Sequence, residues 1–156
     1  MQAKEYVPRV ALMLKSENDY ERAWALSALA QYEAKEYAKG VAELLDKDET
    51  NRIDALLTLG ILRAKEYQQR VASHLRDADE DVRVCAAIAL VLMDADRYAN
   101  RIIPVVQRLY RENTFLEQYE LHEYRSRFRN SFERMKMSST LQRSGRTPRA
   151  SRHRLL

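Results

Sequence analysis

Apolar residues recur along this chain with a helical rhythm set inside a longer one. Tyr6, Tyr37, Tyr67 and Tyr98 stand 30 or 31 positions apart, three closing an Ala-Lys-Glu-Tyr and the fourth an Ala-Asp-Arg-Tyr. Four residues beyond each tyrosine come Val10, Val41, Val71 and Ile102, and eight beyond come Leu14, Leu45, Leu75 and Val106. Offsets of i, i+4 and i+8 lie on one stripe of an α-helix, so each tyrosine marks the first core slot of an amphipathic helix. The Ala-Lys-Glu before it starts that helix, with Lys and Glu facing water. A polar stretch follows, reading "SEND", "DKDE" and "DADE". There Ser16, Asp46 and Asp77 precede Asp19, Glu49 and Glu80 by three, the spacing of a capping box, which predicts a second helix with those three as N-caps. That helix repeats Ala25, Ala55 and Ala86, then Ala28, Thr58 and Ala89, then Leu29, Leu59 and Leu90. Small residues at i and i+3 let neighbouring helices approach closely.

Each unit is therefore a helical hairpin, with boundaries near 3–33, 34–63, 64–94 and 95–112 onward. One hairpin cannot bury both its apolar stripes, whereas a stack of three or more can. The expected fold is all-α, an α-solenoid of stacked antiparallel hairpins over residues 3–112. A long amphipathic capping helix over 113–137 and a basic disordered tail over 138–156 complete the expectation.

Three columns carry a resemblance to a known family. The turn column holds Asp46 and Asp77, with Ser16 in the first unit; six residues later stand Arg22, Arg52 and Arg83; and Pro8 and Pro104 occupy a first-helix slot that Ala38 and Gln69 fill in the middle units. The chain resembles HEAT-like repeat proteins of the short bacterial type. That resemblance implies a ladder of hydrogen bonds between successive units, carried here by Asp46, Arg52, Asp77 and Arg83. It also implies that the second-helix face is a concave surface for partners. Arginine keeps its charge and can grip a carboxylate in a fork, which suits such a seam.

The second-helix stripe turned away from the Ala/Leu stripe comprises Tyr20, Trp24, Ser27 and Gln31, then Thr50, Asp54, Leu57 and Ile61, then Asp81, Cys85, Ile88 and Leu92. Core columns keep their chemistry between units; these do not, and Trp24, Asp54 and Cys85 share one slot. Slots freed from packing are available for recognition. The expected partner-binding residues are Tyr20, Trp24, Ser27, Gln31, Asp54, Leu57, Ile61, Cys85 and Ile88, led by Trp24 because tryptophan is over-represented among interface hot spots.

Charge changes this picture only at the C-terminal end. The formal net charge is +4. Residues 1–111 hold 17 Lys/Arg against 18 Asp/Glu, a balance of −1, and residues 112–156 hold 10 against 5, a balance of +5. The stretch "FLEQYELHEYRSRFRNSFERMK" places Leu116, Tyr124, Phe128, Phe132 and Met135 on one helical stripe, with arginines interleaved. Arg125, Arg127, Arg129, Arg143, Arg146 and Arg149 are candidate phosphate contacts, which would make nucleic acid a second class of partner and its binding salt-sensitive.

Chemistry is sparse. No run is long and apolar enough for a membrane span. The lone Cys85 cannot form an internal bridge, which fits a reducing, cytoplasmic setting. His74 lies in the helix column of Met13, Leu44 and Val105, and "HEYRS" at His122 lacks the second histidine of a zinc helix. No His-Glu pair repeats as the iron-binding HEAT-like hydroxylases require. No P-loop or dinucleotide fingerprint is present, so no cofactor and no metal are expected. Relatives in the resembled family include bilin lyases and DNA-repair glycosylases, and no motif separates this chain from them. The expectation is a non-catalytic scaffold or adaptor binding a protein segment.

Overall fold

The computed structural model describes residues 5–112 and 122–144. All regular structure among them is helical: α1 Val7–Leu12, α2 Asp19–Gln31, α3 Ala38–Lys47, α4 Arg52–Ile61, α5 Gln68–Ser73, α6 Glu80–Leu92, α7 Ala99–Glu112 and α8 Arg125–Arg143. Leu116, Arg146, Arg149 and most of the expected tail lie outside the described residues.

The repeated tetrapeptide is a helix stop followed by a tight turn. Glu33, Arg63 and Asp94, each just before its alanine, adopt positive φ of 48°, 51° and 54°. The Glu33 N–H donates to Ala30 O and the Ala34 N–H to Leu29 O, and the same pair of bonds recurs at Arg63/Ala64 and Asp94/Ala95. This is the Schellman closure, in which a left-handed residue returns orphan carbonyls to hydrogen bonding. The left-handed conformation costs a non-glycine residue about 1–2 kcal/mol, which the two recovered bonds and an apolar contact offset. That contact is the alanine: Ala34, Ala64 and Ala95 are buried. The expected roles within Ala-Lys-Glu-Tyr are thus partly exchanged. The alanine is the core residue, Lys-Glu-Tyr forms a 3-10 turn, and Tyr37, Tyr67 and Tyr98 are half-buried beside the core.

Helix starts also differ from expectation. Asn18 and Asp79, not Ser16 and Asp77, are the N-caps of α2 and α6. Ser16 Oγ accepts from the Asn18 N–H, and Asn18 Oδ1 accepts from the Tyr20 N–H. Asp77 and Asp79 repeat this relay one unit later, with Asp79 Oδ1 reaching the Asp81 N–H. Short polar side chains capture backbone donors two residues on, and each step delays the helix. In the second unit α3 runs on through Lys47, and Asp48 rather than Asp46 accepts from the Asn51 N–H.

The small-residue stripe works as expected. Ala25, Ala55, Ala86, Thr58, Ala89, Leu29, Leu59 and Leu90 are buried. α4 packs on α2, α3 and α6. A Cβ added at Gly60 would lie 2.7 Å from Ala89 Cα, so α4 and α6 meet backbone to backbone there. On the other side of α4, Thr58 Oγ1 donates to Leu26 O of α2 at 3.3 Å.

Of the helix expected over 113–137, residues 113–121 lie outside the described residues. A 3-10 turn over His122–Tyr124 interrupts it, and α8 continues past 137 to Arg143, with Ser139 buried. Tyr124 sits at φ −96°, ψ 1°, close to Tyr37 at −97°, 4° and Tyr67 at −99°, 4°. His122–Tyr124 thus forms a 3-10 turn like Lys35–Tyr37, Lys65–Tyr67 and Asp96–Tyr98, hidden from the 30-residue period because it follows Tyr98 too soon.

Candidate functional site

The arginine column staples each unit to its own turn. Arg22 Nη1 donates to Ser16 O, Arg52 Nε to Leu45 O and Arg83 Nη1 to Asp77 O. Two of the three also cross a seam. Arg22 Nε donates to Asp48 Oδ2 at 2.6 Å, and Arg52 Nη1 stands 3.9 Å from Asp77 Oδ2. The second-unit acid of the ladder is thus Asp48, not Asp46. Asp46 lies two residues earlier on α3 and pairs instead with the Arg70 side chain of the third unit. Burial pushes the Asp48 carboxyl up, but hydrogen bonds from Arg22 and Asn51 outweigh it and hold the pKa below the usual carboxylate value. Asp77 is held low first by the Asp79 N–H, against some burial, and then by His74 and Arg52. His74 itself is largely covered, with Nδ1 3.4 Å from Asp77 and Nε2 buried without a partner.

The residues expected to bind a partner fall on a gradient. Tyr20 and Trp24 are 82% and 76% exposed. Ser27, Gln31 and Asp54 are exposed, Leu57 is half-buried and Ile61 is buried. Cys85 and Ile88 are wholly buried and cannot present a surface in this structure. α8 packs on α6 and α7 and seats Phe128, Phe132 and Met135 in the core.

Side-chain bonds trace the course of α8. Near its start, Arg127 Nη2 donates to Ile61 O at the C-terminus of α4, and Nη1 stands 3.7 Å from Glu33. A helix C-terminus carries partial negative charge and favours such a cation. Midway, Asp94 collects four groups: Ser131 Oγ donates to it at 2.8 Å, Arg63 at 2.5 Å, Arg134 also donates, and Lys65 Nζ lies 3.6 Å away. Burial raises the Asp94 carboxyl, and Ser131, Arg63 and Arg134 together bring it below its ordinary value. At the far end Arg143 Nη2 donates to Asn100 Oδ1 at 2.9 Å. Arg127 and Arg143, expected at phosphates, thus make bonds within the protein. Arg125 and Arg129 are exposed.

Where α8 does not reach, a cleft of about 670 Å³ opens between α2, α4 and the turn before α8. Trp24, Ser27, Gln31, Asp54, Leu57 and Tyr124 line it, with Glu123 at its edge. The sequence missed Tyr124 and Glu123 here; their likeness to the other Glu-Tyr turns was the signal available. The lining offers an indole, aliphatic carbon, two carboxylates and neutral hydrogen-bonding groups, and no Lys or Arg. Such a surface can bind and orient a chain. Among the described residues no three His, Cys, Asp or Glu converge as metal ligands would, and no helix is long and apolar enough to cross a membrane. Comparison with family models, curated proteins and solved structures returns no match.

Proposed function

We propose that the chain is a HEAT-like stack of helical hairpins that works as a non-catalytic scaffold, binding a protein segment in the cleft between α2, α4 and the turn before α8. One observation carries the reading. Six expected recognition residues, Trp24, Ser27, Gln31, Asp54, Leu57 and Ile61, line one cleft, while Cys85, Ile88 and Leu92 of the third unit are buried. A large exposed aromatic beside aliphatic and polar groups is the make-up of an interface anchor. The carboxylates Asp54 and Glu123 in the lining favour a partner segment that carries Lys or Arg. Nucleic acid is disfavoured at this cleft by the same carboxylates, and Arg127 and Arg143 are engaged elsewhere.

The test is affinity capture with the wild-type chain and with Asp54→Lys and Leu57→Asp variants of unchanged melting temperature. A protein held by the wild type, identified, and then bound in purified form more weakly by both variants supports the cleft. Equal binding by all three proteins would sink it.

A further inference from the structure

The outer face of the first hairpin has seam chemistry that no helix among the described residues covers. A cavity of about 410 Å³ lies between α1 and α2, and Val10, Ala28, Gln31 and Tyr32 are among its lining residues. The repeat supplies an equivalent of each. Val10 is half-buried, while Val41, Val71 and Ile102 are completely buried. Ala28 is half-buried, while Thr58 and Ala89 are buried. Gln31 and Tyr32 are exposed, while Ile61 and Leu62, and Leu92 and Met93, are buried.

The Ala28 column shows what covers these equivalents. Thr58 reaches Leu26 O of the preceding hairpin, and Ala89 lies under Gly60 of the preceding hairpin. By the same register Ala28 points to the position of a hairpin ahead of α1. The lining of the cavity contains no formally charged side chain, so an uncharged Ala/Leu/Gly stripe like that of α4 meets no unpaired ion there. Of the seven large apolar side chains exposed among the described residues, Tyr6, Leu12, Tyr20, Trp24 and Tyr32 belong to α1, α2 or their turns, and Met137 and Leu141 to α8. Concentrated apolar exposure of this kind marks an interaction surface.

We propose that this end face is a docking seam for one further helical hairpin of the same repeat type, presenting its second helix as α4 presents itself to α6. The inference rests on the stacked-hairpin reading; Trp24, Ala28 and Gln31 line both cavities, but Asp54 and Leu57, which test the cleft, do not line this one, so its failure is separable from failure of the cleft.

The chain supplies its own probe. Residues 34–63 placed directly before Ala3 reproduce the Arg63–Ala64 junction and continue the Ala-Lys-Glu-Tyr register. Trp24, the one tryptophan of the sequence, reports the seam. In the extended chain the melting temperature should rise by about 5 °C or more, with Trp24 emission shifted to the blue and protected from acrylamide. Tyr32→Glu should abolish both changes in the extended chain and leave the parent chain's melting temperature unaltered. An extended chain with the parent's melting temperature and an equally quenchable Trp24 overturns the proposal. So does parent chain that self-associates at micromolar concentration with Trp24 protected, because the face would then belong to a second copy.

Discussion

Replacing Asp94 with asparagine should loosen α8 from the rest of the protein. Asparagine keeps the shape of the side chain and tolerates the left-handed backbone at φ 54°, so the substitution isolates the charge. The Asp94 side chain is 16% exposed, whereas Arg63, Lys65 and Arg134 are 48%, 54% and 61% exposed. Water therefore screens the three cations, and together they supply about 1–2 kcal/mol. The Ser131 bond survives as a neutral one and weakens by about 1 kcal/mol. The sum, about 2–3 kcal/mol, lowers the melting temperature by about 4–10 °C for a chain of this size. Hydrogen exchange of α8 amides gives the sharper reading, because the loss should appear there and at the Asp94 turn before α2 or α3. Acid should act in the same place. The folded carboxyl lies below its usual value, so its contribution is present above the unfolded pKa of about 3.9 and vanishes as pH falls through the lower folded value. Asp94→Asn should flatten that part of the acid transition. If stability changes by less than about 0.5 kcal/mol and α8 exchange is unaltered, Phe128, Phe132 and Met135 hold the helix without help.

Gly60→Ala would normally favour a helix by about 1 kcal/mol. Here the 2.7 Å approach to Ala89 Cα should reverse the sign to a net loss of about 1–3 kcal/mol, and a stabilised variant in urea titration would contradict the close seam. Arg22→Ala should lower the melting temperature more than Arg52→Ala, because the Asp48 partner is buried and 2.6 Å away while Asp77 stands 3.9 Å off; calorimetry of both variants checks the order. The Cys85 thiol is fully buried, so it should react with a bulky disulfide reagent only as fast as the chain opens locally or unfolds. Immediate labelling of native protein would contradict that burial.

Much of the architecture was legible because it is local and repeated. Val41, Val71 and Ile102, or Leu29, Leu59 and Leu90, keep one chemistry through every unit because each faces the same neighbour. The Arg22/Arg52/Arg83 column was likewise readable, since each guanidinium reaches a carbonyl of its own turn. Failures came where two local solutions compete. Ser16 and Asp77 satisfy a capping-box spacing, yet Asn18 and Asp79 can take the next donors and win the cap. Asp46 fitted the ladder when counted back from Arg52, but the second unit lacks one residue in its turn, and α3 uses Asp46 before the seam is reached. In Ala-Lys-Glu-Tyr the larger residue drew attention as the core member, although a left-handed helix stop brings the small one inward.

By itself the sequence determined the all-helical character, the phase of the repeat and the residues that let α2, α4 and α6 approach closely. Those features depend on spacings within about 30 residues and on steric rules that hold in any such helix. Tertiary structure alone decided the path of α8 and which of the slots expected for recognition stay exposed. Trp24, Asp54 and Cys85 occupy one repeat position, yet Trp24 and Asp54 face the cleft while Cys85 is sealed. The difference lies in no property of the slot. α8 is set in place by bonds that no local pattern encodes, Arg127 at the end of α4 and Ser131 and Arg134 at Asp94, made across 37 to 66 residues of chain.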